Sequence, residues 1–327
     1  MMHVLLTGAS GFVGSHILDS LRVRGIATAV LLRGTSDKQF LQHHLSQIEV
    51  RTGSILEPES LRYALKGITH VIHCAGCTRA RRHSEFYDIN HHGTRNLVDA
   101  VNSQSGGIRQ FVHISSLAVT GPATPANPAR EGDAPRPISE YGKSKLAGEL
   151  EVRHQCRVPY TILRPPAVYG PRDRGFFTLF QAVKSHVLPL TSKSQALSLV
   201  YVKDLAEAVA TCLDHGPALG KTFFVAGSQV VTGRAMAEEI ARQMKQWTVP
   251  CPLPTYAFWP VCVFGELSAH LTGKANLLNL QKFAELRAPG WVCDPSLLKR
   301  EIGFSCGTGL QDGVKETLAW YQQEKWI

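Results

Sequence analysis

Tyr141 and Lys145 stand four residues apart in the stretch Tyr141-Gly142-Lys143-Ser144-Lys145. On a helix that spacing puts both side chains on one face, about one turn apart. A phenol with a pKa of about 10 is a poor base at neutral pH, whereas a nearby ammonium favours the phenolate and lowers that value. The pair therefore reads as a candidate acid/base. The same spacing also occurs on solvated helices, so the assignment depends on whether the rest of the chain builds a site around it.

The elements that could build one begin at the N-terminal end. His3 to Thr7 is a short apolar run, followed by Gly8, Gly11 and Gly14 and a helical pattern through Arg24. This is strand, tight glycine turn and helix. Bare backbone at Gly8 and Gly11 lets a pyrophosphate approach the helix N-terminus, where free N–H groups and the dipole favour anions, and Gly14 allows close packing of helix on strand. A second strand, Ile26 to Leu32, ends at Arg33, with no acid before Asp37. A carboxylate there would accept the ribose 2′-hydroxyl of NAD; an arginine suits a 2′-phosphate, which favours NADP over NAD.

The alternation continues with helices over 36–45, 58–65 and 85–103 and strands over 48–52, 70–74 and 110–114. Such alternation specifies a parallel sheet covered on both faces, with cofactors beyond the carboxyl ends of its strands. Ala75, Gly76, Ser115 and Ser116 then share an edge with the glycine loop. A proline-rich loop, Gly121 to Arg136, reads as a flap over a site. It leads into the helix bearing Tyr141, with Ser139 as its N-cap. A further strand, Tyr160 to Leu163, ends in Arg164-Pro165-Pro166.

The 327 residues are 44% apolar and 19% charged, which describes a globular chain with a large core. The 35 basic and 26 acidic residues give a net charge of +9, suited to a phosphorylated cofactor or an anionic membrane surface; with no long basic run, nucleic acid is not expected. Eight scattered cysteines point to free thiols in a reducing, cytoplasmic compartment. Cys74 and Cys77 lack a second pair or nearby histidine at zinc-ligand spacing, so no metal site is expected. No apolar run is long enough to span a bilayer. From Gly170 the regularity breaks into a second, mostly helical part. Within it Pro252 to Phe264 (PLPTYAFWPVCVF) reads either as a buried connection or as a greasy substrate wall or membrane-skimming edge.

TGASGFVG at the first turn, DINHHGTRNL around Asn90, HISSLAVTG, YGKSK, RPPAVYGP, VYVKDLAEAV and WVCDPSLLKREIGF occur in order along nearly the whole chain. Together they resemble the extended short-chain dehydrogenase/reductase family. The resemblance implies an α/β, Rossmann-type doubly wound parallel sheet over 1–170, with a contribution from about 197–228. Residues 171–196 and 229–327 would form a smaller substrate-binding part. It implies Tyr141 as catalytic acid/base, Lys145 holding the nicotinamide ribose and lowering the phenol pKa, and Ser116 bonding the substrate oxygen. The cofactor would lie against Gly8, Gly11, Phe12, Val13, Gly14, Arg33, Ser54, Ile55, Ala75, Gly76, Asn90, Tyr141, Lys145, Pro165 and Val168. Family members often carry an Asp near the adenine where this chain reads Gly53-Ser54-Ile55. Homodimers are frequent in the family.

Two branches of substrate remain open. Sugar-nucleotide epimerases commonly place an Arg seven residues before the Asp of VYVKDL; here that position is Leu197. The missing clamp and the apolar 252–264 segment favour a steroid-, flavonoid- or isoprenoid-like substrate of a dehydrogenase. Arg172, Arg174 and Lys193 could still supply the phosphate contacts of a nucleotide sugar. A non-catalytic NADP-sensing protein is disfavoured because both Tyr141 and Lys145 are present.

Overall fold

The computed structural model describes residues 1–104, 106–191, 195–253 and 280–327. Strands β1 (His3–Thr7), β2 (Ala27–Leu32), β3 (Glu49–Thr52), β4 (His70–His73), β5 (Gln110–Ile114) and β6 (Tyr160–Arg164) alternate with helices α1 (Phe12–Val23), α2 (Pro58–Ala64), α3 (His83–Tyr87), α4 (Gly93–Asn102) and α5 (Glu140–Gln155). The chain continues through β7 (Ala167–Tyr169), α6 (Phe177–Lys184), β8 (Val187–Thr191), β9 (Ala196–Tyr201), α7 (Val202–Thr211), β10 (Lys221–Phe224), β11 (Val230–Thr232), α8 (Gly233–Met244) and β12 (Val249–Leu253). It closes with α9 (Leu280–Arg287), β13 (Gly290–Trp291), α10 (Ser296–Ile302) and α11 (Leu310–Gln323).

Seven strands form one parallel sheet in the order β10-β6-β5-β4-β1-β2-β3. Its inner strands are near-continuous apolar runs because both faces are covered. On one face Ile17, Leu18 and Leu21 of α1 pack with Leu205 and Val209 of α7 and Leu298 and Ile302 of α10. On the other, Leu61 of α2, Leu97, Val98 and Val101 of α4 and Val152 of α5 close a second cluster. The strand order reverses between β1 and β4, which opens the crevice where a doubly wound sheet binds its ligand.

The second part is less helical than the sequence pattern suggests. β9 pairs with β7, β11 and β13 in a separate small sheet, and β8 pairs with β12. These strands have three to six residues, or two in β13, too short for a two-residue period to stand out. Of 197–228, α7 and β10 join the large sheet and its layers, whereas β9 does not. Phe180 and Val183 of α6, Met236 and Ile240 of α8, and Val314, Leu318 and Tyr321 of α11 pack against β7 and β9 as a third core.

The 121–136 loop is a fixed rim rather than a free flap. Ala123 and Ala129 donate backbone bonds to Gly290 and Val292 at 3.0 and 2.9 Å, and the Glu131 carboxylate accepts from Phe224 N at 3.0 Å. Its prolines remove donors; of those that remain, Ala123 and Ala129 bond residues 290 and 292, and others close turns within the loop. Of Pro252–Phe264, only the backbone of Pro252 and Leu253, in β12, lies within the described residues; the rest of that segment and Lys193 lie outside them. No helix among the described residues is long and apolar enough to cross a membrane.

Candidate active site

The switch point is built by close backbone approach. Gly8 has φ +75°, and a Cβ there would stand 2.6 Å from Ala75 N, so the turn after β1 and the turn after β4 nearly touch. A Cβ on Gly14 would collide with Gly8 O, and Gly11 N donates to the same carbonyl at 3.0 Å. No side chain caps the first turn of α1, where Phe12 and Val13 follow Gly11. Uncapped N–H groups at the start of a 12-residue helix, behind glycines that admit no side chain, fit a dinucleotide pyrophosphate. Arg33 leaves the end of β2 exposed to solvent, its backbone held by a reciprocal bond pair with Ser36. Ser54 accepts from Leu56 N at 3.2 Å, and Ile55 is buried against Gly93. The Ser54 hydroxyl therefore organises its own turn.

On the other flank, α5 begins where the sequence places it: Ser139 Oγ accepts from Gly142 N at 3.2 Å. A Cβ on Gly142 would stand 2.6 Å from Ala118 O, so only glycine lets this helix seat against the short turn after β5. That turn is capped by Ser116, whose hydroxyl accepts from Ala118 N at 3.1 Å and hydrogen-bonds the Tyr141 phenol. Lys145 is buried and donates from Nζ to Ile114 O at 2.7 Å. Gly76 lies beside both Lys145 Nζ and Asn90 Oδ1. The structure thus brings Ser116, Tyr141, Lys145, Gly76 and Asn90 to one place beside the glycine cradle. Pro165 accepts from Leu117 N at 2.8 Å just beyond β6, and Val168 follows in β7.

Asn90 is fully buried in a π-helical turn, 88–92, that interrupts what the sequence reads as one helix from 85 to 103. Its side chain accepts from Cys77 N at 2.8 Å and donates to Cys77 O and to Ser144 Oγ, each at 2.9 Å. Asn90 therefore ties the loop after β4 to the turn of α5 between Tyr141 and Lys145. The extra backbone residue of a π-turn has no signature in amphipathic spacing.

The charges differ from the simple expectation. Burial pushes the Tyr141 phenol up to about 12, against the opposing Ser116 hydrogen bond, with the charge of Glu285 from α9 adding to the rise. Burial pulls the Lys145 ammonium down to about 8, opposed by Cys74 and Glu149. The expectation that Lys145 lowers the phenol pKa is not met: Lys145 is not among the groups that act on Tyr141, and desolvation, which disfavours the charged form, dominates at both residues. Tyr141 is a protonated phenol at neutral pH.

Sequence reasoning passed over several groups here. Cys74, Ser144, Glu149, Arg164 and Glu285 all bear on the site, and Gly142 is required for its closure. Glu149 had a signal, since it lies four residues after Lys145 on the same helix face; Arg164 and Glu285 reach the site from distant elements. Of the three cations weighed as phosphate ligands, Arg172 is paired with Asp19 at 2.8 Å and lies over the Phe40 ring, and Arg174 lies over the Trp326 ring. Leu197 sits in β9 between Val231 and Trp291. Among the described residues no group of three or more His, Cys, Asp or Glu is placed to hold a metal ion.

Residues 4–227 match the model of the NAD dependent epimerase/dehydratase family. Ceramide reductase of Caulobacter vibrioides is 32% identical over 99% of this chain and 96% of its own length. UDP-glucose 4-epimerase of Vibrio cholerae is 28% identical over 96% and 94%. Among solved structures, the NAD complex of Thermus thermophilus UDP-glucose 4-epimerase superposes with a TM-score of 0.77 at 25% identity, covering 98% of this chain and 99% of that one.

Proposed function

Because the chain belongs to the NAD dependent epimerase/dehydratase family, we propose that it transfers hydride between a nicotinamide dinucleotide and a secondary alcohol or ketone on a hydrophobic, lipid-type substrate. The observation that carries the substrate class is the missing diphosphate clamp. Leu197 occupies the place of the clamp arginine, and Arg172 is drawn to Asp19 and lies over the Phe40 ring. The 32% identity to a ceramide reductase supports the same direction.

Gly8, Gly11 and Gly14 with the start of α1 would hold the pyrophosphate, and Lys145 the nicotinamide ribose. The dinucleotide supplies the hydride chemistry when bound. The protein's own part is to position and to move one proton. Ser116 holds the substrate oxygen, and Tyr141 donates its phenolic proton to that oxygen in reduction or receives it in oxidation. A phenol held up at about 12 is protonated at neutral pH, the form in which reduction starts. Lys145 contributes positive charge beside the phenolate that donation leaves. Arg33, exposed at the end of β2, supports NADP as the preferred cofactor.

The test is turnover of a panel of ceramide-type and steroid ketones, followed through nicotinamide absorbance, against interconversion of UDP-glucose and UDP-galactose, followed by chromatography because epimerisation returns the hydride and leaves the cofactor unchanged. Reduction of a lipid ketone is expected. Efficient turnover of the UDP-sugars alone would overturn the substrate class and leave the epimerase reading, which the family equally accommodates. Cofactor binding without turnover on either group would support a sensor.

A further inference from the structure

Glu149 lies one turn beyond Lys145 and two beyond Tyr141, on the same side of α5. It has no solvent exposure. Its carboxylate accepts from Arg164 Nε at 2.8 Å and Arg164 Nη2 at 2.6 Å, and from the Ser115 hydroxyl, with Arg153 at 3.6 Å. Ser115 is the chain neighbour of Ser116, and Ser115 N is itself anchored on Leu163 O at 2.7 Å. Ile114, one residue earlier, receives Lys145 Nζ. Arg164 ends β6 and precedes Pro165, whose carbonyl holds the turn after Ser116. One carboxylate thus joins the ends of β5 and β6 to the helix that carries Tyr141 and Lys145.

Several groups face Lys145. The Cys74 thiol at the end of β4 is pushed up to about 12, and burial holds His73 of β4 at about 3 and His113 of β5 well below its ordinary value. With the Tyr141 phenol, all are neutral at pH 7. The charged groups nearby are Glu149 with Arg164 and Arg153, Glu131 facing Arg164 from the 121–136 loop, and Glu285 facing Tyr141 from α9. Cys74 and Glu149 are the groups whose charge would act on Lys145; with the thiol protonated, the Glu149 carboxylate is the one that opposes loss of the ammonium proton. Stability alone explains such a pair poorly, because desolvating two charges can cost as much as their attraction returns, and Arg164 Nη1 is buried without a hydrogen-bond partner.

We propose that Glu149 is a positioning residue of this site: its carboxylate is the counter-charge that keeps Lys145 cationic, and through Ser115 it sets the register of Ser116. The proposal rests on Lys145 serving the active site as described above.

The experiment uses the full chain. Binding of NADH and NADPH is titrated by fluorescence, and turnover on the substrate found by the panel is measured, both from pH 6 to 10. In Glu149→Gln the alkaline limb of cofactor affinity and of kcat is expected to fall by about one pH unit, the size of a lost opposite charge. In Glu149→Gln/Arg164→Leu the limb falls by less, because the cation left uncompensated in the single variant is gone. Ser115→Ala, which keeps the carboxylate, lowers kcat without moving the limb. A folded Glu149→Gln with the wild-type limb overturns the proposal; if that variant does not fold, a double variant with both the limb and the kcat of the wild type does. Tyr141→Phe and Lys145→Met separate the two readings. Turnover surviving in both would sink the active-site assignment, whereas their inactivity with an unmoved limb in Glu149→Gln sinks only the role of Glu149.

Discussion

Gly142→Ala is a one-methyl change on the helix that carries Tyr141. The new Cβ would meet Ala118 O at 2.6 Å, Pro137 Cβ at 3.0 Å and Ala118 C at 3.3 Å. The nearest of these is backbone, so α5 and the Ser116 turn must part by roughly 1 Å to reach ordinary contact. Overpacking of this kind costs about 1–3 kcal/mol, and alanine in a helix returns up to about 1 kcal/mol relative to glycine. Stability should therefore fall by no more than about 3 kcal/mol, and the variant should fold. Chemistry should suffer far more, because the displaced contact is the one that brings Ser116 to the Tyr141 hydroxyl, and a shift of about 1 Å can cost about 100-fold in rate. The assay pairs thermal unfolding with single-turnover hydride transfer at saturating substrate, so that weakened binding is not mistaken for slowed chemistry. NADH affinity should stay within a few-fold of wild type, since the glycine cradle is untouched. A single-turnover rate within three-fold of wild type would refute the reasoning that Gly142 sets the Ser116–Tyr141 contact.

Three further outcomes follow from the geometry. Gly14→Val should abolish NADH and NADPH binding, because its side chain would drive into Gly8 O; fluorescence titration showing retained affinity would contradict the cradle. Arg33→Glu should lower the preference for NADPH over NADH in kcat/KM by ten-fold or more, and an unchanged ratio would remove Arg33 from the cofactor site. Lys145→Met should inactivate the protein yet raise its unfolding temperature at pH 7. The lysine pKa is about 8 folded against 10.5 for the free side chain, so below pH 8 both states hold the proton and the folded one bears the full burial penalty. Between those values the unfolded chain binds more protons, wild-type stability rises with pH, and the gain from Lys145→Met should shrink toward pH 10. A variant equally or less stable at pH 7, by a scan across pH, would contradict the buried-ammonium reading.

The sequence by itself determined the parts whose causes are local. Glycines at 8, 11 and 14 after an apolar run, the largely apolar strands of a two-sided sheet, the Ser139 cap and the Tyr141–Lys145 spacing each depend on a few neighbouring residues. They led to the α/β architecture and to the edge where the candidate site lies. Only the tertiary structure decided what depends on residues far apart in the chain. The π-turn that turns Asn90 onto Cys77 and Ser144 leaves no mark in the apolar period of residues 85–103. The 121–136 loop reads as a flap until β13 and Phe224 are seen to hold it. Arg172 is a candidate phosphate ligand by composition and a partner of Asp19 by geometry. Glu149 shares a helix face with Lys145 in any reading, but its meaning comes from Arg164 and Ser115 at the ends of two other strands. The direction of the Tyr141 pKa reversed for the same reason. A neighbouring ammonium is legible from spacing, whereas desolvation is the sum of everything packed around the phenol, and only the folded chain assembles it.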